Sequence, residues 1–343
     1  MKDIETYQVN NAANTRLNAN ELPYNISDTI RSEIKLALDD IDFQRYPDET
    51  SHELISAYAN VMKISEEHIL AGNGSDEMLG LMIGYFLGKD KKLLTLQPDF
   101  SMYDYYATMH EAIMVKYKTR KDGSFDVDDF IEYGREYKVD MILFSNPNNP
   151  TGQTLSNRTL IKIVEAFPKV PIIIDEAYGE FSEESMSCMI DNYHNLYVTR
   201  TLSKAFGLAS ARLGFLLGNT QNIEVLKQYM VPYNISSISQ KIGCIVLGHA
   251  KEYMNYVVEI KEQRKRMLER LKDLKRIKLY RSHANYIYGR SEDKTALLAL
   301  LESNDIQIRN YQDDTFRITI GSNAENEMVI KLLLAFDMEE NKV

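Results

Sequence analysis

Short apolar runs alternate with amphipathic stretches through the middle of the chain, from about residue 72 to about residue 218. Three of the runs, residues 141–144, 172–174 and 196–198, are continuous and partly β-branched, as expected for strands buried on both faces of a sheet. Residues 157–167, between the first two runs, have apolar residues at helical spacing. This alternation predicts the α/β class, a mostly parallel sheet covered by helices.

The pattern changes after about residue 230. A long amphipathic helix and a second, shorter helix are mixed with strand-like segments, at residues 250–274, 294–303, 285–288, 306–309 and 316–320. Helices mixed with non-consecutive strands predict a smaller α+β domain. The first ~35 residues are expected to pack against it, since terminal segments stay ordered only when something holds them. We therefore predict an N-terminal segment of residues 1–38 that joins the small domain, a large domain of residues 39–238 and a C-terminal small domain of residues 239–343.

Composition and charge narrow the class of protein. Hydrophobic residues make up 44% of the 343 residues and charged residues 26%, which is globular composition. No segment approaches the roughly 20 apolar residues of a membrane-spanning helix. A formal net charge of −10 argues against a nucleic-acid partner. Cys188 and Cys244 are too few for a disulfide framework or a cysteine-rich metal site, and the first five residues lack a secretion signal, so a cytoplasmic protein without a metal is expected.

Polar residues of the types used in catalysis and ligand binding follow each of the three apolar runs. Asn149 lies shortly after the first run, Asp175 directly follows the second, and Lys204 lies shortly after the third. Ligands of open α/β sheets bind beyond the carboxyl ends of the strands. We therefore expect these three segments to converge on one site.

Lys204 is the candidate nucleophile. A lysine just after a buried strand can have its pKa lowered by desolvation and by neighbouring cations, which leaves a reactive amine. A surface lysine in a loop is the alternative interpretation. Arg212, Thr201 and Ser203 offer the guanidinium and hydroxyl groups that suit a phosphate monoester. The small residues at 72–77 offer a second phosphate cradle before a helix N-terminus, with an ordinary helix cap as the alternative.

Asp175 follows three isoleucines and is expected to be desolvated. It therefore needs a partner, either a structural hydrogen-bond network or a cationic ligand, and opposite a pyridine nitrogen it would keep that nitrogen protonated. Tyr178 and Asn149 offer hydrogen bonds that suit a phenolic oxygen. Arg317 and Arg309 offer guanidinium forks for substrate anions, with an interdomain salt bridge as the alternative.

Four segments resemble, in order, the cofactor motifs of the class I and II aminotransferases, and particularly those of the histidinol-phosphate aminotransferases. They are residues 74–77, 146–152, 175–178 and 203–214, and the resemblance extends from about residue 17 to about residue 321. It implies the fold-type I architecture: a large domain with a mostly parallel mixed sheet between helices, and a smaller α+β domain built from both termini. It also implies pyridoxal 5′-phosphate as cofactor and an active site shared within a homodimer.

The resemblance implies a role for each residue around the cofactor. Lys204 would bind the cofactor covalently, Asp175 would pair with the pyridine nitrogen, and Asn149 and Tyr178 would bind the phenolate oxygen. Phe100 would stack on the ring. The phosphate would be held by one group of residues: Ser75, Asp76, Thr201, Ser203 and Arg212, together with Tyr46 of the partner subunit.

The resemblance also implies the substrates. Arg317 would bind the carboxylate of the amino-group acceptor, a 2-oxo acid, and Arg309 would help to hold the phosphate of histidinol phosphate. The segment with Asn20, Glu21 and Tyr24 would cover the substrate. The implied reaction converts histidinol phosphate and 2-oxoglutarate to imidazole acetol phosphate and glutamate, a step of histidine biosynthesis.

Three departures from the family pattern leave alternatives open. Leu22 stands where the family usually has Asn, Phe100-Ser101 replaces Tyr-Gly, and Ser210-Ala211 replaces Gly-Leu. Because Leu22 lies near the substrate, a threonine-phosphate decarboxylase or an aromatic or other amino-acid aminotransferase on the same scaffold remains an alternative. A cofactor-sensing transcription regulator would need a DNA-binding module, which the ~35 residues before the resemblance becomes dense cannot hold.

Overall fold

The computed structural model describes residues 13–338 of the chain. Within this range two β-sheets are covered by helices. The larger sheet has seven strands, numbered here in chain order, and their order across the sheet is β2 (Ile69–Asn73), β8 (Leu213–Gly218), β7 (Leu196–Thr201), β6 (Ile172–Asp175), β5 (Met141–Ser145), β3 (Lys92–Gln97) and β4 (Ile113–Lys118). All of them run parallel except β8, which is antiparallel to both of its neighbours.

The centre of this sheet is buried on both faces, which explains its uninterrupted apolar runs. Every residue of β5, β6, β7 and β8 is buried. The register places Ser145, Asp175 and Thr199 side by side on three neighbouring strands. These three residues lie at or near the carboxyl ends of their strands, so their polar side chains are brought to one edge of the sheet.

Eleven α-helices lie within the described residues. They are α1 (Asp28–Asp39), α2 (His52–Met62), α3 (Ser75–Phe86), α4 (Met102–Met109), α5 (Val127–Tyr137), α6 (Asn157–Ala166), α7 (Thr220–Lys227), α8 (Ser237–Gly248), α9 (Ala250–Arg270), α10 (Lys294–Ser303) and α11 (Asn323–Met338). Side-chain caps define several of their first turns; for example, Asp126 accepts hydrogen bonds from the backbone N–H groups of Asp128 and Asp129 at the start of α5. None of the helices between residues 13 and 338 is both long and apolar enough to cross a membrane.

The smaller sheet joins the two ends of the chain. Its strand order is β1 (Thr15–Leu17), β11 (Ile306–Asn310), β12 (Thr315–Thr319), β10 (Tyr286–Arg290) and β9 (Lys278–Leu279). β1 runs parallel to β11, with Leu17 opposite Ile308, so the N-terminal segment is held by sheet pairing. The predicted domain boundaries after residues 38 and 238 fall inside α1 and α8. The α8 helix packs closely on the large domain, where a Cβ added at Gly243 would lie 2.6 Å from side-chain atoms of Leu54 and Leu213.

Candidate active site

A cleft of about 410 Å³ opens at the edge of the large sheet where the parallel strands end. This volume is in the usual range for a small-molecule site, about 300–1,000 Å³. The cleft brings together most of the residues predicted from the sequence: Lys204, Asp175, Tyr178, Asn149, Ser75, Asp76, Phe100, Thr201, Ser203, Arg212, Arg317 and Glu21. The convergence of strand ends that the apolar runs predicted is therefore present in the structure.

Lys204 lies in the loop after β7 and its ammonium group points into the cleft. Its Nζ donates a hydrogen bond to the carbonyl of Ala19 at 2.9 Å and lies 5.8 Å from the centre of the Tyr178 ring. Burial lowers the pKa of Lys204 to about 8, and the positive charge of Arg317 acts in the same direction. The side chain is therefore an amine with a large neutral fraction near that pH, which suits nucleophilic and general-base chemistry.

Asp175 ends β6 and is 3% exposed. Its Oδ2 accepts a hydrogen bond from the Tyr103 hydroxyl at 2.8 Å, and its Oδ1 accepts hydrogen bonds from the Thr199 hydroxyl at 2.8 Å and the Ala177 backbone N–H at 3.2 Å. Burial raises the pKa of Asp175, whereas these neutral donors lower it. A buried carboxylate with neutral partners at the floor of a cleft fits a protonated ring nitrogen, which would supply the missing positive charge.

The opposite end of the cleft is built to bind an anion. The turn from β2 to α3 passes through Gly74 at φ +80°, and a Cβ there would lie 2.6 Å from Nη2 of Arg212. Arg212 donates a hydrogen bond to Asp76 at 2.8 Å and another to the Ser203 hydroxyl at 3.4 Å. The free N–H groups of a helix N-terminus beside a guanidinium group form a site that suits a phosphate. This end of the cleft therefore fits the phosphate of pyridoxal phosphate. Asp175 lines the same cleft, so a ring nitrogen and a phosphate of one ligand have their binding groups in one cavity.

The small domain closes the cleft from the other side. Asn20 donates a hydrogen bond to the Tyr178 hydroxyl at 2.9 Å, and Arg317 donates one to Asn149 Oδ1 and one to the Asn18 carbonyl at 2.8 Å. Arg317 is 3% exposed. Segments from both ends of the chain thus contact the residues that were predicted to bind the phenolate oxygen.

Four predicted residues do not line this cleft: Asn20, which contacts it only through Tyr178, and Arg309, Tyr24 and Tyr46. Arg309 lines a neighbouring cavity of about 230 Å³, which shares Phe100, Asn149 and Arg317 with the cleft. Tyr24 stacks on Tyr256 and donates a hydrogen bond to Glu259 at 2.5 Å.

Tyr46 is 80% exposed and stacks on Tyr233 with ring centroids 4.6 Å apart. It lines a separate surface depression that Arg212 also lines. Within one chain, neither Tyr24 nor Tyr46 contributes to the cleft that holds Lys204.

Sequence reasoning missed the groups that hold the two central side chains. Tyr103 and Thr199 bind Asp175, and the Ala19 carbonyl binds Lys204. Thr199 directly follows the run 196–198, so the rule that polar residues follow buried strands indicates it. Nothing in the local sequence indicates that the side chain of Tyr103 turns toward β6. The resemblance places the segment next to Ala19 over the substrate, but it does not indicate that the Ala19 carbonyl binds Lys204. No group of three or more His, Cys, Asp or Glu side chains suited to a metal ion occurs in residues 13–338.

The fold and the cleft define an α/β enzyme that holds a pyridine ring carrying a phosphate. The family model for aminotransferase class I and II matches residues 13–333, and the chain belongs to this family of pyridoxal-phosphate enzymes. The predicted family and enzyme class are thereby confirmed.

Individual relatives agree with the family. A protein named histidinol-phosphate aminotransferase from Clostridium kluyveri is 37% identical over 322 residues, which cover 93% of this chain and 92% of that protein. The crystal structure of the histidinol-phosphate aminotransferase from Clostridium acetobutylicum superposes with a TM-score of 0.85 at 25% identity, covering 94% of this chain and 99% of that one. That of the Sinorhizobium meliloti histidinol-phosphate aminotransferase in complex with pyridoxal-5′-phosphate also gives a TM-score of 0.85, at 20% identity, covering 94% and 92%. The predicted fold is confirmed by these superpositions.

Proposed function

We propose that this chain transfers the amino group of histidinol phosphate to 2-oxoglutarate, with imidazole acetol phosphate and glutamate as products. The observation that carries the proposal is the 37% identity, over 93% of the chain, to the Clostridium kluyveri protein named histidinol-phosphate aminotransferase. The cleft supports it, because it supplies a buried amine, a buried carboxylate and an anion site within one cavity.

The proposed chemistry divides the work between cofactor and protein. Bound pyridoxal phosphate supplies an electron sink for the charge that develops at the substrate α-carbon. Lys204, whose pKa is lowered to about 8, takes the proton from that carbon as a general base. Asp175 holds the proton on the ring nitrogen, and Tyr178 and Asn149 orient the ring. Arg212 and the first turn of α3 anchor the phosphate.

Two arginines of the small sheet are proposed to determine the substrate specificity. Arg309 and Arg317 are opposite each other in the register of β11 and β12. They line adjoining cavities, and we propose that Arg317 binds the carboxylate of the acceptor and that Arg309 binds the phosphate of the donor. Asn20, Glu21 and Tyr24 belong to the segment proposed to cover the bound substrate.

We further infer that the enzyme acts as a homodimer with a shared site. The ring of Tyr46 is exposed and lines a surface depression together with Arg212, which also lines the cleft. An aromatic ring in this place is available to a second copy of the chain, where it would reach the phosphate site of that copy. The cytoplasmic location stays a prediction of the sequence.

The test is a panel of amino donors with the purified enzyme loaded with pyridoxal phosphate. Histidinol phosphate, threonine phosphate and phenylalanine are each supplied with 2-oxoglutarate, while glutamate formation and carbon dioxide release are measured separately. We expect glutamate formation with histidinol phosphate at a kcat/KM at least about a hundredfold above that with phenylalanine, since a site that binds a phosphate rejects a donor without one by a few kcal/mol. With threonine phosphate we expect no carbon dioxide release and slower glutamate formation than with histidinol phosphate. Carbon dioxide release from threonine phosphate, or faster transfer from phenylalanine, would contradict the proposed substrate.

A further inference from the structure

The side chain of Tyr103 lies directly behind the floor of the cleft. It belongs to the first turn of α4, is completely buried, and donates its hydroxyl hydrogen bond to Asp175 Oδ2 at 2.8 Å. The same ring contacts Phe100 edge-to-face, with centroids 5.7 Å apart and planes at 90°. Tyr103 therefore touches two residues that line the cleft, although it does not line the cleft itself.

The hydrogen bond from Tyr103 completes the support of the carboxylate. Thr199 and the Ala177 N–H both reach Oδ1, whereas Tyr103 reaches Oδ2. With donors on both oxygens the plane of the carboxylate is fixed. Oδ1 already accepts two hydrogen bonds, so the lone-pair capacity left for a further partner is on Oδ2. Burial favours the neutral acid, and the hydrogen bond from Tyr103 opposes burial by lowering the pKa of Asp175.

We propose that Tyr103 is a positioning residue for the cofactor, which acts through Asp175 to hold the carboxylate ionised and oriented toward the ring nitrogen. This inference rests on the proposed binding of pyridoxal phosphate in the cleft. Removing the hydroxyl leaves Oδ2 without this donor and lets the side chain rotate. It also favours the neutral acid. Both effects weaken the pairing between Asp175 and a protonated ring nitrogen, and neither affects the phosphate end of the cleft.

The alternative is a purely structural role, in which the hydrogen bond to Asp175 only gives the buried hydroxyl of Tyr103 a partner. Its ring packs among buried apolar side chains, including Met78 and Leu143, and a buried hydroxyl without a partner is costly. A purely structural role predicts that loss of the hydroxyl changes stability and affects every ligand of the cleft equally. A positioning role predicts an effect that depends on the ring nitrogen.

The experiment compares two cofactors in two variants of the full-length protein. Cofactor-free wild type, Tyr103→Phe and the control Tyr105→Phe are titrated with pyridoxal phosphate and with its 1-deaza analogue, which has a carbon in place of the ring nitrogen. Tyr105 is in the same helix but has a partly exposed side chain. We expect Tyr103→Phe to weaken binding of pyridoxal phosphate about tenfold and binding of the analogue less than about twofold, as removal of a charge-assisted hydrogen bond implies. Tyr105→Phe should change neither affinity by more than about twofold.

Other outcomes overturn the inference in distinguishable ways. Equal weakening of both ligands by Tyr103→Phe, or no weakening, would assign Tyr103 a structural role only. Tighter binding of pyridoxal phosphate would also overturn it. If Tyr103→Phe is less stable, the titrations are made at a lower temperature at which circular dichroism shows that every variant is folded. In the Asp175→Asn background, Tyr103→Phe should have no further effect on the ratio of the two affinities. Failure of the wild type to bind pyridoxal phosphate at all would instead refute the proposed function.

Discussion

At Lys204, burial and the charge of Arg317 act in the same direction on one ammonium ion. Together they lower the pKa to about 8, against a smaller opposing influence from Glu21 and Asp76. When the pKa of a lysine is lowered, its neutral fraction increases at every pH. Lys204 should therefore react as an amine in a range where exposed lysines are almost fully protonated.

The first prediction is the pH dependence of Lys204 labelling. Cofactor-free protein is treated with an amine-acylating reagent, and the labelling rate of the peptide that contains Lys204 is followed by mass spectrometry. The rate should rise with pH and reach half of its plateau at a pH of about 8, since only the neutral amine reacts. Lys204→Arg serves as the control and should yield no label in this peptide. A rate that is still rising steeply about two pH units higher would contradict the lowered pKa.

Individual residues also show where reading the sequence succeeds and where it stops. Lys204 and Asp175 were predicted because each follows a buried apolar run, and a strand end fixes where such a residue lies. Tyr103 was missed because its contact with Asp175 depends on how α4 packs on the sheet. The role of Tyr24 over the substrate stays a prediction. Its hydroxyl donates a hydrogen bond to Glu259 of α9, a contact between residues far apart in sequence that the local pattern does not reveal.

Among the elements, the contact between β8 and the start of α3 shapes the phosphate end of the cleft. Gly214 of β8 lies against the backbone of this turn, and a Cβ at this position would come within 2.1 Å of the Ser75 backbone nitrogen and 2.4 Å of the Gly74 carbonyl carbon. Neither atom can move without displacing the helix N-terminus. The absence of a side chain at residue 214 is therefore needed for the anion site.

The second prediction follows from this contact. Gly214→Ala should weaken binding of pyridoxal phosphate by at least about tenfold, or about 1.4 kcal/mol, because the first turn of α3 is pushed away from the phosphate. Gly88→Ala is the matched control just beyond the other end of α3, since a Cβ at Gly88 meets no atom within 4 Å. Fluorescence titration of cofactor-free protein measures both. Equal affinities of the two variants would show that the close packing at Gly214 does not govern the anion site.

The ends of β6 and β7 are joined by buried charges. Arg200 of β7 is paired with Glu176 and Glu180 at 2.7 Å each, and all three side chains are no more than 7% exposed. The third prediction is that Arg200→Met lowers the free energy of unfolding by about 3–5 kcal/mol, because two carboxylates lose their buried partner. Arg135→Met removes an exposed pair with Glu132 and should cost no more than about 1 kcal/mol. Urea unfolding monitored by circular dichroism compares the two, and similar losses would be inconsistent with a buried ion triad.

The order of strands and helices along the chain could be predicted better than their arrangement in space. The alternation of apolar runs and helices predicted the mostly parallel sheet, since strands buried on both faces are apolar throughout. Nothing in the run at residues 213–218 reveals that β8 is antiparallel, because strand direction is set by pairing between distant segments. The boundary predicted after residue 238 falls inside α8. An amphipathic pattern shows that one face of a helix is buried, but it does not show which domain buries that face.

For the whole molecule, the proposed homodimer explains why Tyr46 lies outside the cleft of its own chain. If its ring completes the phosphate site of the second copy, an active site needs Lys204 from one subunit and Tyr46 from the other. The exposure of Tyr46 within a single chain is consistent with this arrangement.

The fourth prediction is complementation between two impaired variants. Lys204→Ala and Tyr46→Ala are unfolded, mixed in equal amounts and refolded together with pyridoxal phosphate. Random pairing makes half of the dimers mixed, and each mixed dimer has one intact site of two, so activity should reach about a quarter of the wild-type value. Recovery no greater than the sum of the two variants alone would mean that Tyr46 does not act across the interface.

The ε-amino group of Lys204 is proposed to carry the cofactor, and reduction with borohydride shows which side chain is bound to it. The protein is incubated with pyridoxal phosphate, reduced with borohydride, digested and analysed by mass spectrometry. We expect a single major phosphopyridoxyl adduct on the peptide that contains Lys204, and no such adduct in Lys204→Ala. An adduct located on another lysine, or no adduct in a protein that binds the cofactor, would contradict it.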